Sequence, residues 1–201
     1  MKIKSATFEL SAPNLAACPR LPLPEFALIG RSNVGKSSLI NLLAEKRDLA
    51  KVSDLPGKTR LMNFFTFNAS WRLVDLPGYG YAHVSKQERA TFNEAVAAFL
   101  TRRDTLRHTY VLIDSRLPPQ GIDIDFLGWL RDERVACSLI FTKADKQSKS
   151  ATHAAIDRFR KTVLNDHVPE PTIFVTSSKT KDGRADLLAH IAAQVHSDHS
   201  R

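Results

Sequence analysis

Residues 30 to 37 of this chain are Gly30-Arg31-Ser32-Asn33-Val34-Gly35-Lys36-Ser37, in which a second glycine, a lysine and a serine follow the first glycine at fixed spacing. The apolar run 26–29 precedes this segment, and the apolar segment 38–43 follows it. A strand, a glycine-bearing loop and a helix in this order form the context of a phosphate-binding loop. The segment therefore predicts an α/β nucleotide-binding fold. The alternative is a glycine-bearing turn before an ordinary helix.

The chemistry of this loop follows from its residue types. Gly30 and Gly35 allow the backbone to curl until several N–H groups converge on a β-phosphate, at a helix N-terminus whose dipole favours an anion. Lys36 would reach the β- and γ-phosphates, and the Ser37 hydroxyl would ligate Mg²⁺, which prefers oxygen ligands. We expect nucleotide contacts from Gly30, Arg31, Ser32, Asn33, Val34, Gly35, Lys36, Ser37 and Ser38.

A second motif, Asp75-Leu76-Pro77-Gly78, follows the strand-like run 71–74. A carboxylate at a strand end, here Asp75, would hold a Mg²⁺-bound water. The N–H of Gly78 would contact the γ-phosphate only while that phosphate exists, so hydrolysis would release the loop that follows. Leu76 and Pro77 belong to the same nucleotide-binding segment. The alternative is an ordinary turn, which uses the same residue types.

Two later segments indicate a guanine site. Thr142-Lys143-Ala144-Asp145 closes the apolar run 136–141 and matches the signature of guanine-specific phosphate-loop proteins. The Asp145 carboxylate would accept the N1–H and the exocyclic amino group of guanine, which adenine lacks, and Lys143 would brace the phosphate loop. The loop Thr176-Ser177-Ser178 would offer a backbone N–H to the guanine O6. The alternatives are a solvated charged loop and serines that act only as turn caps.

The interval between the phosphate loop and Asp75 contains the candidate for switch I. A threonine on this loop would complete the Mg²⁺ coordination and contact the γ-phosphate. Thr59 is the best candidate, with Ser53 and Thr66 as alternatives. We count Gly57, Lys58, Thr59, Arg60 and Leu61 as nucleotide-binding, Lys36, Thr59 and Gly78 as catalytic, and Ser37, Thr59 and Asp75 as metal ligands.

The order of elements predicts a three-layer α/β sandwich. With the motifs above, this arrangement resembles the small-GTPase phosphate-loop fold. Strand candidates at 26–30, 62–67, 71–75, 109–114, 137–142 and 172–176 predict a mostly parallel six-stranded sheet with one antiparallel strand. The short gap at 68–70 makes the second and third of these strands antiparallel. Helical periodicity links Phe92, Val96, Phe99 and Leu100, and also Leu187, Leu188, Ile191 and Val195. We expect a nucleotide-binding domain at 25–198 and an extended arm at 1–24 that can still pair at a sheet edge.

Together these motifs resemble the EngB family of GTPases, also called YihA or YsxC, within the Era and EngA superfamily. The segments that carry the resemblance are 30–38, 56–59, 63–65, 75–82, 112–116 with Pro118 and Pro119, 129–130 and 142–146. The chain departs from the family pattern at Arg60, where the family has glutamine, and at His83, where it has a long basic side chain. The resemblance implies a bacterial GTPase that binds GTP or GDP with Mg²⁺ and assists late assembly of the large ribosomal subunit. It also implies a role in normal cell division and septation.

Composition is compatible with a polyanionic partner such as ribosomal RNA. Lys plus Arg number 29 and Asp plus Glu number 21, which gives a formal net charge of +8. Basic residues cluster near switch I, at Lys46, Arg47, Lys51, Lys58 and Arg60. The alternative is a charged surface that serves solubility alone.

The cysteines and the apolar segments of the sequence indicate the cellular compartment. Cys18 and Cys137 have no metal-ligand spacing and indicate a reducing compartment. The sequence has neither a long apolar run nor a signal-peptide pattern. We therefore expect a soluble cytoplasmic monomer that contacts no membrane.

Catalysis departs from the Ras-like scheme at Tyr79, which stands where a glutamine would orient the attacking water. We expect a low intrinsic rate. Asn33 would help to coordinate K⁺ near the phosphates; the alternative is an asparagine tolerated for its turn geometry. Three hypotheses follow: a ribosome-assembly GTPase switch, a phosphate-loop ATPase or nucleotide kinase, and a nonhydrolysing scaffold that GTP stabilises at the division site. The first accounts for the most motifs.

Overall fold

The structure, a computed structural model, describes residues 1–51, 61–79, 86–164 and 169–196, and within 86–93 it describes only the course of a helix. The chain alternates strands and helices, as the sequence predicted. The strands are β1 (Ala6–Ala12), β2 (Glu25–Gly30), β3 (Met62–Phe67), β4 (Trp71–Asp75), β5 (Leu106–Asp114), β6 (Cys137–Thr142) and β7 (Ile173–Val175). The helices are α1 (Lys36–Ala44), α2 (Lys86–Arg102), α3 (Gly121–Asp132), α4 (Lys149–Val163) and α5 (Arg184–His196). Short 3-10 turns occupy Leu15–Ala17 and Ala144–Lys146.

The strands form one sheet of seven strands in the order β1-β3-β4-β2-β5-β6-β7. Each neighbouring pair is parallel except β1 with β3 and β3 with β4, so β3 alone runs against the others. The prediction of a mostly parallel sheet with one antiparallel strand is confirmed, but the sheet has one strand more than predicted. The additional strand is β1, from the N-terminal arm, which pairs with β3 at the sheet edge.

The β3–β4 hairpin owes its direction to the turn at 68–70. Asn68 and Ala69 both have positive φ, at 51° and 50°. Two consecutive left-handed residues give the turn a twist that matches the twist of the flanking strands. Asn63 is therefore paired with Asp75, and Thr66 with Arg72.

Helices cover both faces of the sheet, which confirms the three-layer prediction. Val96, Phe99 and Leu100 of α2 pack in one core cluster with residues of α3 and α4. Leu187, Leu188 and Ile191 of α5 pack in a second cluster with residues of α1. Strand β2 is buried along its whole length between these two layers, as expected for a central parallel strand. Among the described helices, none combines the length and the apolar character that crossing a membrane requires.

The parallel strands bring several motif residues together at one end of the sheet, where the strands have their carboxyl ends. Strand β2 ends at Gly30, β4 at Asp75 and β6 at Thr142, and these carboxyl ends point the same way. Ligands of open α/β sheets bind in the crevice outside the carboxyl ends of the strands. The fold therefore places the phosphate loop, the Asp75 segment and the Thr142 segment in that crevice.

Candidate functional site

The phosphate loop is a tight turn between β2 and α1. Gly35 caps the start of α1 with φ at 108°, a conformation that side chains with a Cβ rarely adopt. Asn33 also has positive φ, at 58°, which asparagine tolerates better than most residues. The first N–H groups of α1 face the end of the loop and have no partner within the helix. The arrangement is a concave set of backbone donors at a helix N-terminus, which suits a phosphate.

The Asp75 segment lies directly against this loop. A Cβ added to Gly78 would overlap the carbonyl oxygen of Gly30, so only glycine fits at this contact. The N–H of Leu76 donates to the Leu28 carbonyl at 2.9 Å and extends the pairing of the two strands beyond Asp75. Leu76, Pro77 and Gly78 are all buried. The structure thus joins the two motifs that the sequence placed about forty residues apart.

Asp75 is a buried carboxylate beside a buried ammonium group. Its side chain is 4% exposed and that of Lys36 is 9% exposed. Burial raises the pKa of Asp75 to about 6, and the charge of Lys36 opposes this rise. Oδ1 of Asp75 has no hydrogen-bond partner among the described residues. A buried carboxylate oxygen that lacks a donor fits the second coordination sphere of a hard cation.

The donor set suits Mg²⁺ bound together with a nucleotide. No group of three His, Cys, Asp or Glu side chains that could hold a metal occurs within the described ranges. Mg²⁺ is commonly held by one or two protein oxygens together with substrate phosphates and waters. Ser37, in the first turn of α1, and Asp75 supply oxygens of this kind.

The guanine motif is tied to the phosphate loop by two side chains. The Thr142 hydroxyl donates to the Val34 carbonyl at 2.6 Å. Lys143 has φ at 59°, and its Nζ donates to the Asn33 carbonyl at 2.6 Å. This is the contact between Lys143 and the phosphate loop that the sequence predicted. It fixes the distance between a phosphate site and a base site.

Asp145 lies in the turn Ala144–Lys146 and meets the loop after β7. Its Oδ1 accepts a hydrogen bond from Ser177 Oγ at 2.7 Å, which holds the pKa of Asp145 below its usual range. The N–H of Ala144 donates to the Thr176 carbonyl at 3.2 Å. Thr176 and Ser177 are buried, whereas Ser178 is exposed. The structure therefore brings together the two loops that the sequence assigned to the base.

Asp114 lies in segment 112–116, which carried the family resemblance, but the motif analysis assigned it no role. Its carboxylate accepts from Lys143 Nζ at 2.9 Å and from Arg116 at 2.7 Å. Burial alone would raise the pKa of Asp114, but these hydrogen bonds outweigh burial and hold the pKa at about 2. Asp114 therefore positions the lysine of the guanine motif. Its place at the end of β5, beside Thr142 in the register, was the available signal.

Tyr79 is attached to α3 instead of facing the phosphate loop through its hydroxyl. Its Oη donates to Asp123 Oδ1 at 2.9 Å, and its ring stacks on Phe126 with centroids 4.3 Å apart. Burial, followed by the charge of Asp123, raises the pKa of Tyr79 well above its usual value. Asp123 also accepts from the Gln120 N–H at 3.2 Å and so caps α3. The sequence did not indicate Asp123, because its partner lies in another element.

The switch I prediction falls mostly outside the described residues. Gly57, Lys58, Thr59, Arg60 and the alternative Ser53 lie there, as does His83. Leu61, the last residue of the predicted segment, is described and exposed. The alternative Thr66 is wrong: it lies at the far end of β3, and its hydroxyl donates to Glu9 at 2.5 Å.

Comparison with known proteins gives the family. The sequence model of the family described as "50S ribosome-binding GTPase" matches residues 25–143. A protein of Christiangramia forsetii named "Probable GTP-binding protein EngB" is 46% identical over 191 residues, which cover 95% of this chain and 96% of that protein. The chain belongs to the EngB family of GTP-binding proteins. An EngB protein of Pelotomaculum thermopropionicum with the same name is 45% identical over 195 residues, which cover 97% of this chain and 98% of that protein.

Solved structures share the fold of this EngB-family chain. A crystal structure described as a probable GTP-binding protein engB has a TM-score of 0.67 at 20% identity and covers 85% of this chain and 98% of that one. Aquifex aeolicus Era bound to GDP.AlF4- has a TM-score of 0.71 at 18% identity, covering 88% of this chain and 58% of Era. Era in complex with MgGDPNP and part of 16S ribosomal RNA has a TM-score of 0.67 at 18% identity, covering 86% of this chain and 56% of Era. The family membership and the fold make this chain a phosphate-loop GTPase of the EngB type.

Proposed function

We propose that this protein is a GTPase switch that acts in late assembly of the large ribosomal subunit in the cytoplasm, and that normal cell division and septation require it. The observation that carries the proposal is the double contact on the phosphate loop. Gly78 packs against Gly30 on one side, and Lys143 bonds the Asn33 carbonyl on the other. The Asp75 segment, which would contact the γ-phosphate, and the guanine motif both contact the phosphate loop. Such a site suits a protein that distinguishes GTP from GDP.

On the phosphate side, the loop 30–38 holds the β-phosphate through backbone N–H groups, and Lys36 bridges the β- and γ-phosphates. Ser37 and Thr59 would ligate Mg²⁺, and Asp75 would hold one of its waters. When bound, Mg²⁺ neutralises charge that develops on the phosphate oxygens. The N–H of Gly78 donates to the γ-phosphate. Because the acceptor is the γ-phosphate itself, its loss on hydrolysis removes this contact.

On the base side, Asp145 accepts two hydrogen bonds from guanine, and the loop Thr176-Ser177-Ser178 donates to O6. The Ser177 hydroxyl donates to the Asp145 carboxylate at 2.7 Å and orients it before the base binds. The carboxylate therefore loses less conformational freedom when guanine binds. A site built to accept hydrogen bonds rejects an analogue without the donors by roughly 10⁴-fold or more. This discrimination disfavours an ATPase or a nucleotide kinase.

Hydrolysis is slow in the isolated protein. Water attacks the γ-phosphorus, the bond to the β-phosphate oxygen breaks, and GDP and phosphate leave. Tyr79 cannot orient that water as glutamine does, because its hydroxyl is engaged by Asp123. We expect an unassisted rate on the order of 10⁻⁴ to 10⁻³ per second, as in small GTPases without an activator.

K⁺ at Asn33 is a second part of the proposal. A cation between the phosphates would supply charge that matters mainly in the transition state. Exchange of Na⁺ for K⁺ at constant ionic strength should raise turnover, and Asn33→Ala should abolish the difference while changing GTP affinity little. Equal turnover in Na⁺ and K⁺ would refute the K⁺ site. The positive φ of residue 33 would then explain why asparagine stands there.

The ribosomal partner is supported by the family description, by the charge of the chain and by Era, whose structure contains ribosomal RNA. The direct test is GTP turnover with and without purified large subunits. We expect large subunits or their late precursors to raise the rate, and small subunits to leave it unchanged. No stimulation by any large-subunit particle would refute the activating role.

A nonhydrolysing scaffold at the division site is the second candidate, and the Tyr79–Asp123 hydrogen bond favours it. It predicts no GTP turnover above the uncatalysed rate with any ribosomal particle. It also predicts that GTP and GDP stabilise the protein equally. The turnover assay therefore separates the two candidates.

A further inference from the structure

A cavity of about 340 Å³ lies at the end of the sheet opposite the nucleotide site, where β5 begins. It is bounded by the end of α2, the start of β5 and the turn between α3 and β6. Strand β5 begins here at Leu106 and runs toward Asp114, which belongs to the nucleotide end of the sheet. The length of the strand therefore separates the cavity from the phosphate loop, and the two sites share no residue.

Two side chains of β5 point toward this cavity and lack partners. Arg107 and Thr109 both line the cavity. Side chains alternate along a regular strand, so Thr109 shares the face of Val111 and Ile113, which pack with α2 and α3. The register of β5 against β2 shifts at Arg107, so the cavity lining, and not the alternation, places this side chain. Thr109 is 0% exposed, and its hydroxyl has no hydrogen-bond partner among the described residues. Nε of Arg107 is likewise buried and unpartnered, and Arg107 has no ion pair within the described part of the chain.

Buried polar groups of this kind normally find a partner. A guanidinium and a hydroxyl are both donors, and their common partner is an oxyanion. Guanidinium groups match the geometry of phosphate oxygens and can donate to two of them at once.

The charges around the cavity also favour an anion. Arg103 lines it, but Glu25 neutralises Arg103 through two contacts of 2.8 Å. Arg107 and Arg134 have no such carboxylate partner among the described residues. The one lining carboxylate, Glu133, is exposed at the mouth beside Arg134. Two uncompensated arginines thus face one solvated carboxylate.

We propose that this cavity is a second anion site, which binds the phosphate group of an organic phosphate. Arg107 donates to the phosphate oxygens, Thr109 donates from the floor of the cavity, and Arg134 adds charge at the mouth. The volume exceeds that of inorganic phosphate and lies in the range of small-molecule sites, so the phosphate carries an organic group. Its source is either a free phosphomonoester or the phosphodiester backbone of RNA.

The test uses the full chain loaded with GDP and Mg²⁺, so that added phosphate does not report on the nucleotide site. Inorganic phosphate, ribose 5-phosphate and a short RNA without a terminal phosphate are titrated separately at constant ionic strength. The amide resonances of Arg107, Thr109, Arg134 and Val135 are followed by NMR. We expect saturable shifts at these residues with inorganic phosphate, and tighter binding of at least one organic ligand.

Variants locate the site. Arg107→Gln should weaken phosphate binding by about tenfold or more, because it removes the charge and keeps the length. Thr109→Val should weaken it by about threefold or more and should not lower the melting temperature, since it removes a hydroxyl without a partner. Arg160→Gln, the same charge change at an exposed ion pair on α4, is the matched control and should have no effect.

The ligand source follows from competition. Tighter binding of ribose 5-phosphate than of inorganic phosphate, without displacement by RNA, assigns the site to a phosphomonoester. Displacement of ribose 5-phosphate by the RNA assigns it to a phosphodiester. Absence of saturable shifts with all three probes, or equal binding by the Arg107→Gln and Arg160→Gln variants, would overturn the proposal. Because GDP remains bound throughout, such a failure would leave the GTPase proposal untouched.

Discussion

The proposed base preference rests on the Asp145 carboxylate, which Ser177 orients. Asp145→Asn replaces an acceptor with an amide donor, which can pair with the 2-oxo group of xanthine. We expect the variant to lose GTP affinity by about 10²-fold or more and to gain affinity for XTP. Competition binding against a fluorescent nucleotide measures both. A variant that still prefers GTP over XTP as strongly as the wild type would refute the role of Asp145.

Asp75 makes a second residue-level prediction because its pKa is raised to about 6 by burial. In the unfolded chain this pKa is about 4, so the folded state favours the protonated form. The resulting stability is fully present below about pH 4 and is lost as the pH rises through about 6, with a total of at most about 3 kcal/mol. In nucleotide-free protein, Asp75→Asn should therefore become more stable than the wild type as the pH rises from 4 to 7.

Urea unfolding of both proteins between pH 4 and 8 measures this difference. Addition of Mg²⁺ and GDP should reverse the order at pH 7, because the metal then stabilises the carboxylate and not the amide. A stability difference that does not change with pH would show that Asp75 is already ionised in the free protein.

Tyr79 links α3 to the segment that we propose senses the γ-phosphate. Tyr79→Phe leaves Asp123 Oδ1 without its donor in a buried position, which should cost about 1–3 kcal/mol. We also expect the ratio of GDP to GTP dissociation constants to fall, because Gly78 is less firmly placed. Tyr110→Phe is the matched control: it removes a hydroxyl bonded to His190 at 2.7 Å on the other face of the sheet. The control should lose stability but keep the nucleotide ratio, and an equal change of the ratio in both variants would contradict this role of Tyr79.

At the scale of elements, β1 is held by an ion pair between the buried Arg72 and the partly exposed Glu9 as well as by the sheet. Arg72, 1% exposed, bonds Glu9 of β1 at 2.7 Å and the Leu21 carbonyl at 2.7 Å. Arg72→Met should destabilise the protein by about 1–3 kcal/mol, because the partly exposed Glu9 and the Leu21 carbonyl lose their donor. Urea unfolding checks this, with Arg160→Met as a control at the exposed pair with Glu170. A loss of stability as small as that of the control would mean that these contacts of Arg72 contribute little.

Sequence patterns predicted the elements better than the contacts between them. Strands β3, β4 and β6 have the predicted bounds, because turn residues flank a continuous apolar run. Strand β1 was predicted only as an arm that could pair at an edge. Its partner lies some fifty residues away, and a bulge between Phe8 and Leu10 breaks the alternation.

The candidate site shows the same division. The motifs predicted roles for Gly35, Asp75 and Asp145, because those roles follow from backbone conformation or from ligand chemistry. They assigned no role to Asp114 or Asp123, because the importance of each depends on a side chain of another element, Lys143 or Tyr79. Such pairs follow from strand order and helix placement, which local periodicity does not contain.

At the scale of the whole molecule, the proposed switch needs both the net charge of +8, which attracts RNA, and the nucleotide site, which makes the attraction depend on GTP. A positive surface attracts RNA in either nucleotide state, whereas the proposed contact of Gly78 with the γ-phosphate exists only in the GTP state. If the protein is a switch, nucleotide state must change affinity for the particle by the typical coupling of about 5- to 150-fold. Salt should weaken both states, since phosphate contacts release counterions.

The most direct measurement is therefore the dissociation constant of purified large ribosomal subunits from the full chain loaded with a nonhydrolysable GTP analogue or with GDP, at one fixed salt concentration. Asp145→Asn loaded in the same GTP-analogue solution serves as the control that should behave as nucleotide-free. We predict binding at least about fivefold tighter in the GTP-analogue state than with GDP. Equal dissociation constants in the two nucleotide states would contradict the account, whatever the affinity itself.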